Sequence, residues 1–255
     1  MNKHSVSFLF VPLFLLLIVF PVVALFFNLE LEGVRRTMTD QCFWLSVKNT
    51  VIAAAFAAGL GLLMAIGFAY YHLFQRKSLI YRIATIFDNL PISLPHTVAG
   101  LALLIAFGRN YFGFISNTGL AFSLLAVVLA MFFVSYALAA RTLVAGVDQM
   151  DTEVIDVART LGDNPVQVYF RIVLPVMGEA LLSGYVLAFS RSVSEFAAVI
   201  MFGGNLPEKT QVLASYVFTK VEEGELEMAV TAAVFCVIIS LLIGLLLGRR
   251  RPKYV

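Results

Sequence analysis

The 255-residue chain has little charge: Lys, Arg, Asp and Glu make up 13% of it, against 60% hydrophobic residues. A soluble domain of this length needs polar surface that such a composition does not supply, and the mean hydropathy of +0.91 excludes that class. The chain is therefore read as an integral membrane protein. Its formal net charge of +2 is too small for a nucleic-acid binder, and the basic residues sit scattered at segment ends rather than in a stripe. Cysteine is nearly absent. Cys42 falls in a polar loop and Cys236 in an apolar run, so one is expected in water and the other in hydrocarbon, which excludes a disulfide between them.

Long apolar runs are what the sequence does have. The first, Val6 to Phe27, follows Lys3 and ends near Val22-Val23-Ala24, the outline of a secretory signal. A signal core is about 7 to 15 residues, whereas this run reaches the roughly 20 needed to cross a bilayer, so it is read as a retained span. Hydropathy gives five more spans: Val47 to Phe74, Ile83 to Phe107, Gly119 to Ala140, Val176 to Phe202 and Met228 to Gly248. All should be helices, because a chain in lipid must satisfy its own backbone groups. The expected fold is thus all-α, a polytopic helix bundle of about six spans in a single domain over residues 1–255. The third span contains Pro91 and Pro95, four residues apart, and is expected to break there and to face the bundle, where freed carbonyls find partners. Gly59, Gly61 and Gly67 in the second span, and Gly244 and Gly248 in the sixth, are expected to serve close helix packing.

Lys and Arg set the orientation. With the N-terminus inside, the inner segments carry Lys3, Arg76, Lys77, Arg82, Arg141, Arg159, Arg171, Arg249, Arg250, Arg251 and Lys253. The outer segments carry only Arg35, Arg36, Lys48, Arg109, Lys209 and Lys220. Both termini are therefore expected on the cytoplasmic side, as is the polar segment between spans four and five, residues 141–175.

That segment reads as two short helices at an angle. Val154, then Val157 or Ala158, then Leu161 form an apolar stripe, with Glu153, Asp156, Arg159 and Thr160 opposite. Asp151 or Thr152 caps the start, and Gly162 stands where a left-handed residue ends the helix. Asn164 is a good cap for a second helix and Pro165 suits its first turn; the stripe Val166, Tyr169 or Phe170, Val173 leads to Pro175 at the membrane. A membrane-surface helix favours a basic polar face, but this one is acid-rich, so anionic lipid should repel it and docking into a protein groove is preferred.

The spacing Asp156-Val157-Ala158, three residues, Gly162, nine residues and Ile172-Val173-Leu174-Pro175 resembles the cytoplasmic loop of the integral permease subunits of binding-protein-dependent ABC importers, written E-A-A, three residues, G, nine residues, I-x-L-P. Asp replaces Glu and Val replaces the first Ala. The resemblance implies that Glu153, Asp156, Val157, Ala158, Leu161, Gly162, Asn164, Pro165, Ile172, Leu174 and Pro175 couple the chain to a cytoplasmic ATPase. It implies two ATP-binding cassette subunits, a second permease copy forming a homodimer, and an extracytoplasmic binding protein, all assembled at the cell membrane. The chain itself would hold no cofactor and would not be an enzyme.

The fifth span points to the cargo. Arg191 and Glu195 lie four residues apart, on one helical face, and ionisable groups at this depth face a partner or a wet cavity. Two readings stand: an ion pair that fixes helix packing, or Arg191 with Ser190, Ser192 and Ser194 lining a passage for an anion. The segment is similar to the fifth span of sulfate, molybdate and tungstate permeases, A-R-A-[LV]-G-E-[FY]-G and then A-G-N, at Arg191, Glu195, Phe196, Gly204 and Asn205, with Ser194 and Ala197 in place of glycines. The stretch around Pro91, Pro95 and His96 resembles the third span of the same group. The likeness, from about Asn49 onward, implies an oxyanion importer, with molybdate or tungstate first and sulfate next; thiamine, ferric-ion or polyamine permeases are the alternative. His96 has no Cys or carboxylate neighbour in sequence that would make it a metal ligand. Gly203 to Thr210 resembles a phosphate loop but has Glu208 where the second glycine belongs, and it lies outside. A secondary transporter needs its own coupling carboxylates, and Glu195 is the one placed deeply; an intramembrane enzyme needs a pattern such as H-E-x-x-H, which is absent.

Overall fold

The computed structural model describes residues 10–248, whose regular structure is all helix, with no strand among them. Val6 to Leu9 of the first expected span, and the basic residues Lys3, Arg249, Arg250, Arg251 and Lys253, lie outside the described residues. The helices are α1 (Phe10–Phe27), α2 (Leu31–Thr39), α3 (Gln41–Phe74), α4 (Leu79–Asp88), α5 (His96–Phe107), α6 (Leu124–Asp148), α7 (Thr152–Thr160), α8 (Pro165–Val176), α9 (Gly178–Val193), α10 (Ala197–Gly203), α11 (Leu213–Glu222) and α12 (Leu226–Gly248), with single turns at Leu90–Ser93 and Arg109–Phe112. Four of them, α1, α3, α6 and α12, are long and apolar enough to cross a membrane unaided.

The other two expected spans are interrupted, each for a local reason. In the third, Leu94 and Pro95 are extended, at ψ 136° and 132°, because the residue before a proline is pushed out of the helical region. Pro91 sits in the first turn of Leu90–Ser93, where its missing N–H costs nothing. The fifth is interrupted at Ser194 to Phe196, between α9 and α10, and α8 meets α9 at a 74° bend at Met177. The other boundaries shift as well. α3 starts six residues early because Asp40 caps it, its side chain accepting from the Cys42 amide at 2.8 Å. At 1.5 Å per residue its 34 residues span about 50 Å, well beyond the roughly 30 Å of hydrocarbon. α6 starts at Leu124, where the Ser123 hydroxyl caps it, and runs to Asp148, past the expected end at Ala140, because no residue there stops a helix.

Helices α3, α6 and α9 form the centre. Ala53, Ala54, Ala57, Ala58, Ala65 and Ala69 on α3, and Ala126, Ala130, Ala137, Ala139 and Ala140 on α6, are fully buried. Small side chains let helix backbones approach where no hydrophobic force separates lipid from protein. The glycines expected to serve this purpose mostly do not. A Cβ added at Gly59, Gly67 or Gly244 meets nothing within 4 Å, and at Gly61 it would only touch Tyr136 at 3.5 Å. The close approach is instead at Gly100, where a Cβ would stand 2.7 Å from Met201 Cβ and 2.8 Å from Ala198 Cα, so α5 packs directly on α10.

The segments expected outside meet at one end. Arg36 binds Glu225 at 2.7 Å, the Tyr216 hydroxyl donates to Asp40 at 2.7 Å, and Asn49 donates to the Gln211 carbonyl at 3.1 Å. The hydrogen bond from Lys220, at 3.0 Å, holds the Glu225 carboxyl below its usual range. Cys42 and Cys236 are less separated than expected, since both pack on this end's cluster around Phe43 and Tyr216, yet both are free thiols. The segments expected inside meet at the other end, where Asp148 of α6 binds Arg76 at 2.5 Å and His72 of α3 at 2.9 Å. The Tyr169 hydroxyl of α8 donates to the Ile66 carbonyl at 2.7 Å.

Replacing Gly100 with Val overpacks the α5–α10 contact and is expected to destabilise the bundle by about 1–3 kcal/mol. Thermal unfolding of the detergent-solubilised protein reads this as a lower midpoint, with Gly59→Ala as the unaffected control. A wild-type midpoint for the Gly100 variant would contradict the contact.

Candidate functional site

Two regions carry the functional residues: the elbow of α7 and α8, and the place where the two interrupted spans meet. The elbow is built by local chemistry. The Asp151 side chain accepts from the Glu153 amide at 2.9 Å, and Glu153 sits in the first turn, where the helix dipole favours an acid. At the other end Gly162 has φ +99°, a left-handed conformation that side chains resist. This lets the Gly162 amide reach the Arg159 carbonyl at 3.1 Å and the Asp163 amide reach the Ala158 carbonyl at 3.2 Å, which closes the helix. Asn164 then caps α8 reciprocally with Gln167: each side chain accepts from the other residue's amide at 2.9 Å, with Pro165 in the first turn. Gln167 is a residue the sequence reading missed, although Asn followed three residues later by Gln is a legible capping signal.

The apolar stripe of α7 is divided differently from the expectation. Ile155 and Ala158 turn inward and pack with Val168, Tyr169 and Val173 on the cytoplasmic-end core. Ile155, three residues before it, is the larger apolar group and draws that face of the helix in. Val154, Val157 and Leu161 are left outward, the last two 58% and 83% exposed, beside exposed Val166 and Phe170. Glu153, Asp156, Gly162 and Asn164 are also exposed. Ile172 and Leu174 pack on the core, whereas Pro175 is exposed. A contiguous exposed apolar set with acidic neighbours is the mark of a protein contact.

The second region joins two motifs that sequence spacing leaves 95 residues apart. His96 is the first residue of α5, just after the Pro95 break; Arg191 lies in the last turn of α9, and Glu195 lies within the break between α9 and α10. Arg191 Nη2 lies 2.9 and 3.0 Å from the two His96 ring nitrogens and 3.1 Å from Glu195 Oε2, and the same carboxylate oxygen lies 3.2 Å from His96 Nδ1. Glu195 Oε1 accepts from the Ala198 amide at 2.9 Å, and Arg191 Nη1 donates to the Ser194 hydroxyl at 3.0 Å. The Glu195 side chain is 1% exposed, while those of Arg191 and His96 are 25% and 35% exposed. A carboxylate is therefore sealed behind a cation and an imidazole that face outward.

His96, Arg191, Ser194 and Glu195 thus form one cluster. Ser190 is half-buried outside it, and Ser192 is buried on another face with its hydroxyl unpartnered among the described residues, as successive helix positions turn by about 100°. Pro91 and Pro95 shape the break and add no group to the cluster. Glu195 is not the one deep carboxylate: Asp88, at the end of α4, is also buried, and its Oδ1 has no hydrogen-bond partner among the described residues. Its place between Phe87 and Leu90 in the expected third span was a readable signal. The cluster offers charge-assisted hydrogen bonds to an anion, which suits binding and release rather than bond breaking.

Residues 57–250 match the family described as "Binding-protein-dependent transport system inner membrane component". The chain is 32% identical over 254 residues to the sulfate transport system permease protein CysT of Salmonella typhimurium, covering 93% of this chain and 87% of that protein. It is 30% identical over 238 residues to the probable transport system permease protein NifC of Clostridium pasteurianum, covering 92% and 83%. Among solved structures, the crystal structure of a bacterial ABC transporter involved in the import of the acidic polysaccharide alginate matches with a TM-score of 0.77 at 16% identity, covering 98% of this chain and 96% of that chain. The MetNI methionine ABC transporter in inward facing conformations matches at 0.59 and 20% identity, over 81% and 91%. These structural likenesses show the fold.

Asn164→Ala removes the reciprocal cap and is expected to cost α8 about 1 kcal/mol at its start. Hydrogen exchange at the Gln167 and Val168 amides should then quicken by about fivefold, the population factor for that energy. Unchanged exchange would show that the elbow does not depend on this cap.

Proposed function

The chain belongs to the inner membrane components of binding-protein-dependent transport systems, and from that premise we propose that it lines a passage for a tetrahedral oxyanion and receives its driving force at the α7–α8 elbow. It is a membrane-spanning permease subunit of an ABC importer. Sulfate is the first candidate cargo, with molybdate and tungstate next, because relatives covering most of the chain are named for sulfate. The Arg191 cluster supports an anionic cargo: a guanidinium with an opposing carboxylate gives a site that binds weakly enough to release.

The observation that carries the driving-force reading is the outward apolar set Val154, Val157 and Leu161 on a helix capped at both ends. The proposed partners are two ATP-binding cassette subunits at the elbows, a second copy of this chain, and an extracytoplasmic oxyanion-binding protein. An ATPase subunit gripping that face pushes on α7, whose inner side, Ile155 and Ala158, is packed on the same core as α8 and the start of α9. From Gly178 to Arg191 helix α9 is continuous, about 20 Å at 1.5 Å per residue, so movement at the elbow reaches the cluster through a rigid rod.

Replacing Val157 and Leu161 together with Asp tests this, because both are exposed and the bundle should keep its thermal midpoint. The double variant is expected to lose the co-purifying ATPase subunit and to import oxyanion about thirtyfold more slowly, as loss of about 2 kcal/mol of docking energy implies. Retained ATPase and full uptake would overturn the elbow as the coupling site. Uptake of thiamine, ferric ion or a polyamine in place of sulfate by the assembled importer would favour the alternative cargo.

A further inference from the structure

We propose that Glu195 is an internal surrogate for the transported anion: its carboxylate occupies the oxyanion's seat between Arg191 and His96, and transport proceeds by exchange of one for the other. This rests on the oxyanion reading above and adds to it a seat, a competitor and a reason for release.

The geometry points to an exchange rather than to a simple ion pair. Glu195 Oε2 is held jointly by Arg191 Nη2 at 3.1 Å and His96 Nδ1 at 3.2 Å, the bridged arrangement in which one oxygen of a tetrahedral oxyanion would be received. The other oxygen, Oε1, is anchored by the Ala198 amide at 2.9 Å, on the Glu195 side of the break. The carboxylate can therefore yield one oxygen's partners while the other stays bound. Arg191 and His96 are reached from the open side and Glu195 is not, so an arriving anion meets the donors first and the competitor behind them. The exposed Ser194 hydroxyl accepts from Arg191 Nη1 at 3.0 Å and donates to the Arg191 carbonyl at 2.9 Å, which fixes the guanidinium at the rim. Arg191 Nε makes no hydrogen bond among the described residues and provides the second arm of a bidentate grip.

The charges explain why the seat would let go. Arg191 and Glu195 cancel, so a dianion entering between Arg191 and His96 is attracted by the guanidinium and repelled by the displaced carboxylate, which stays close because Oε1 remains anchored. Binding is then shallow, and recovery of the Arg191–Glu195 contact drives the anion onward. A conduit needs a site of this kind: tight enough to select, not tight enough to trap.

The test uses the assembled permease–ATPase complex without its binding protein, radiolabelled sulfate as probe and equilibrium dialysis as readout, with uptake by the complete importer in vesicles measured in parallel. Glu195→Gln should bind sulfate on the order of tenfold more tightly than wild type, as loss of one competing charge a few ångströms away implies, while its uptake falls. Arg191→Ala added to Glu195→Gln should abolish the gain. A structural ion pair predicts that binding and uptake fall together, so the opposite movement of the two is the distinguishing sign. Should Glu195→Gln fail to assemble, Glu195→Asp keeps the charge but is one methylene short of its partners, and it should show a smaller gain in affinity with slower uptake. Sulfate affinity no higher than wild type in the variant that assembles, or a gain that survives Arg191→Ala, overturns the proposal. If the wild-type importer takes up no oxyanion, the parent reading fails with it; if uptake is normal and only the affinity gain is missing, the surrogate role alone fails.

Discussion

A carboxylate sealed in a lipid-crossing segment is the constraint around which this fold is arranged. Burying an isolated charge there costs far more than any one contact returns, so Glu195 requires partners, and those partners must be held in place. Arg191 comes from one turn earlier on the same helix, but His96 has to be delivered by another. That delivery needs α5 to begin at the cluster's depth, which is what the Pro95 break achieves, and it needs α5 to lie close to α10, which Gly100 permits. The two interrupted spans are therefore one feature. Each break leaves backbone groups without helical partners, and each does so where a neighbouring helix and a polar cluster can meet that need.

The same arrangement links the two functional regions. The elbow is stiff because each of its ends is capped by a residue of the right type: Asp151, Gly162 and Asn164. It is joined to the bundle by Ile155 and Ala158 on one side and by Tyr169, bonded to the α3 backbone, on the other. At the same end, Asp148 ties the inner end of α6 to His72 of α3 and to Arg76 just beyond it. A force applied to the exposed face of α7 thus acts on a packed unit that includes the base of α9, and α9 ends at Arg191. Packed cores shift between discrete arrangements rather than deform smoothly, which makes such a rod an effective transmitter.

Much of this was legible in the sequence, and the reasons it was legible differ. Caps and breakers act over three or four residues, so Asp151, Gly162, Asn164, Pro91 and Pro95 announced the elbow and the third-span break directly. The fifth-span break was not legible, because Ser194, Glu195 and Phe196 do not stop helices by themselves; the turn depends on Glu195 being drawn to His96 and to the Ala198 amide, one of them a long-range contact. For the same reason His96 and Arg191 could each be picked out in its own span but not joined. The stripe on α7 was misdivided because a helix of nine residues with apolar side chains on several faces has no unique inner side until its neighbours are known. The glycines of the second and sixth spans were over-read as packing residues, since in this bundle alanine performs that role on α3 and α6, and the close glycine contacts, such as Gly100 on α10, Gly33 on Glu227 and Gly146 on Ala180, join elements that no periodicity connects.

The central claim is that the meeting point of the two interrupted spans is a wet passage rather than a lipid-sealed joint. Replacing Ser194, which is exposed at the rim, with Cys in a background lacking Cys42 and Cys236 allows its accessibility to a charged, membrane-impermeant thiol reagent to be measured in the assembled importer. The account predicts rapid labelling that sulfate slows and that changes with the nucleotide state of the ATPase subunits. A thiol that stays unreactive in every nucleotide state, or whose labelling ignores sulfate, would contradict it.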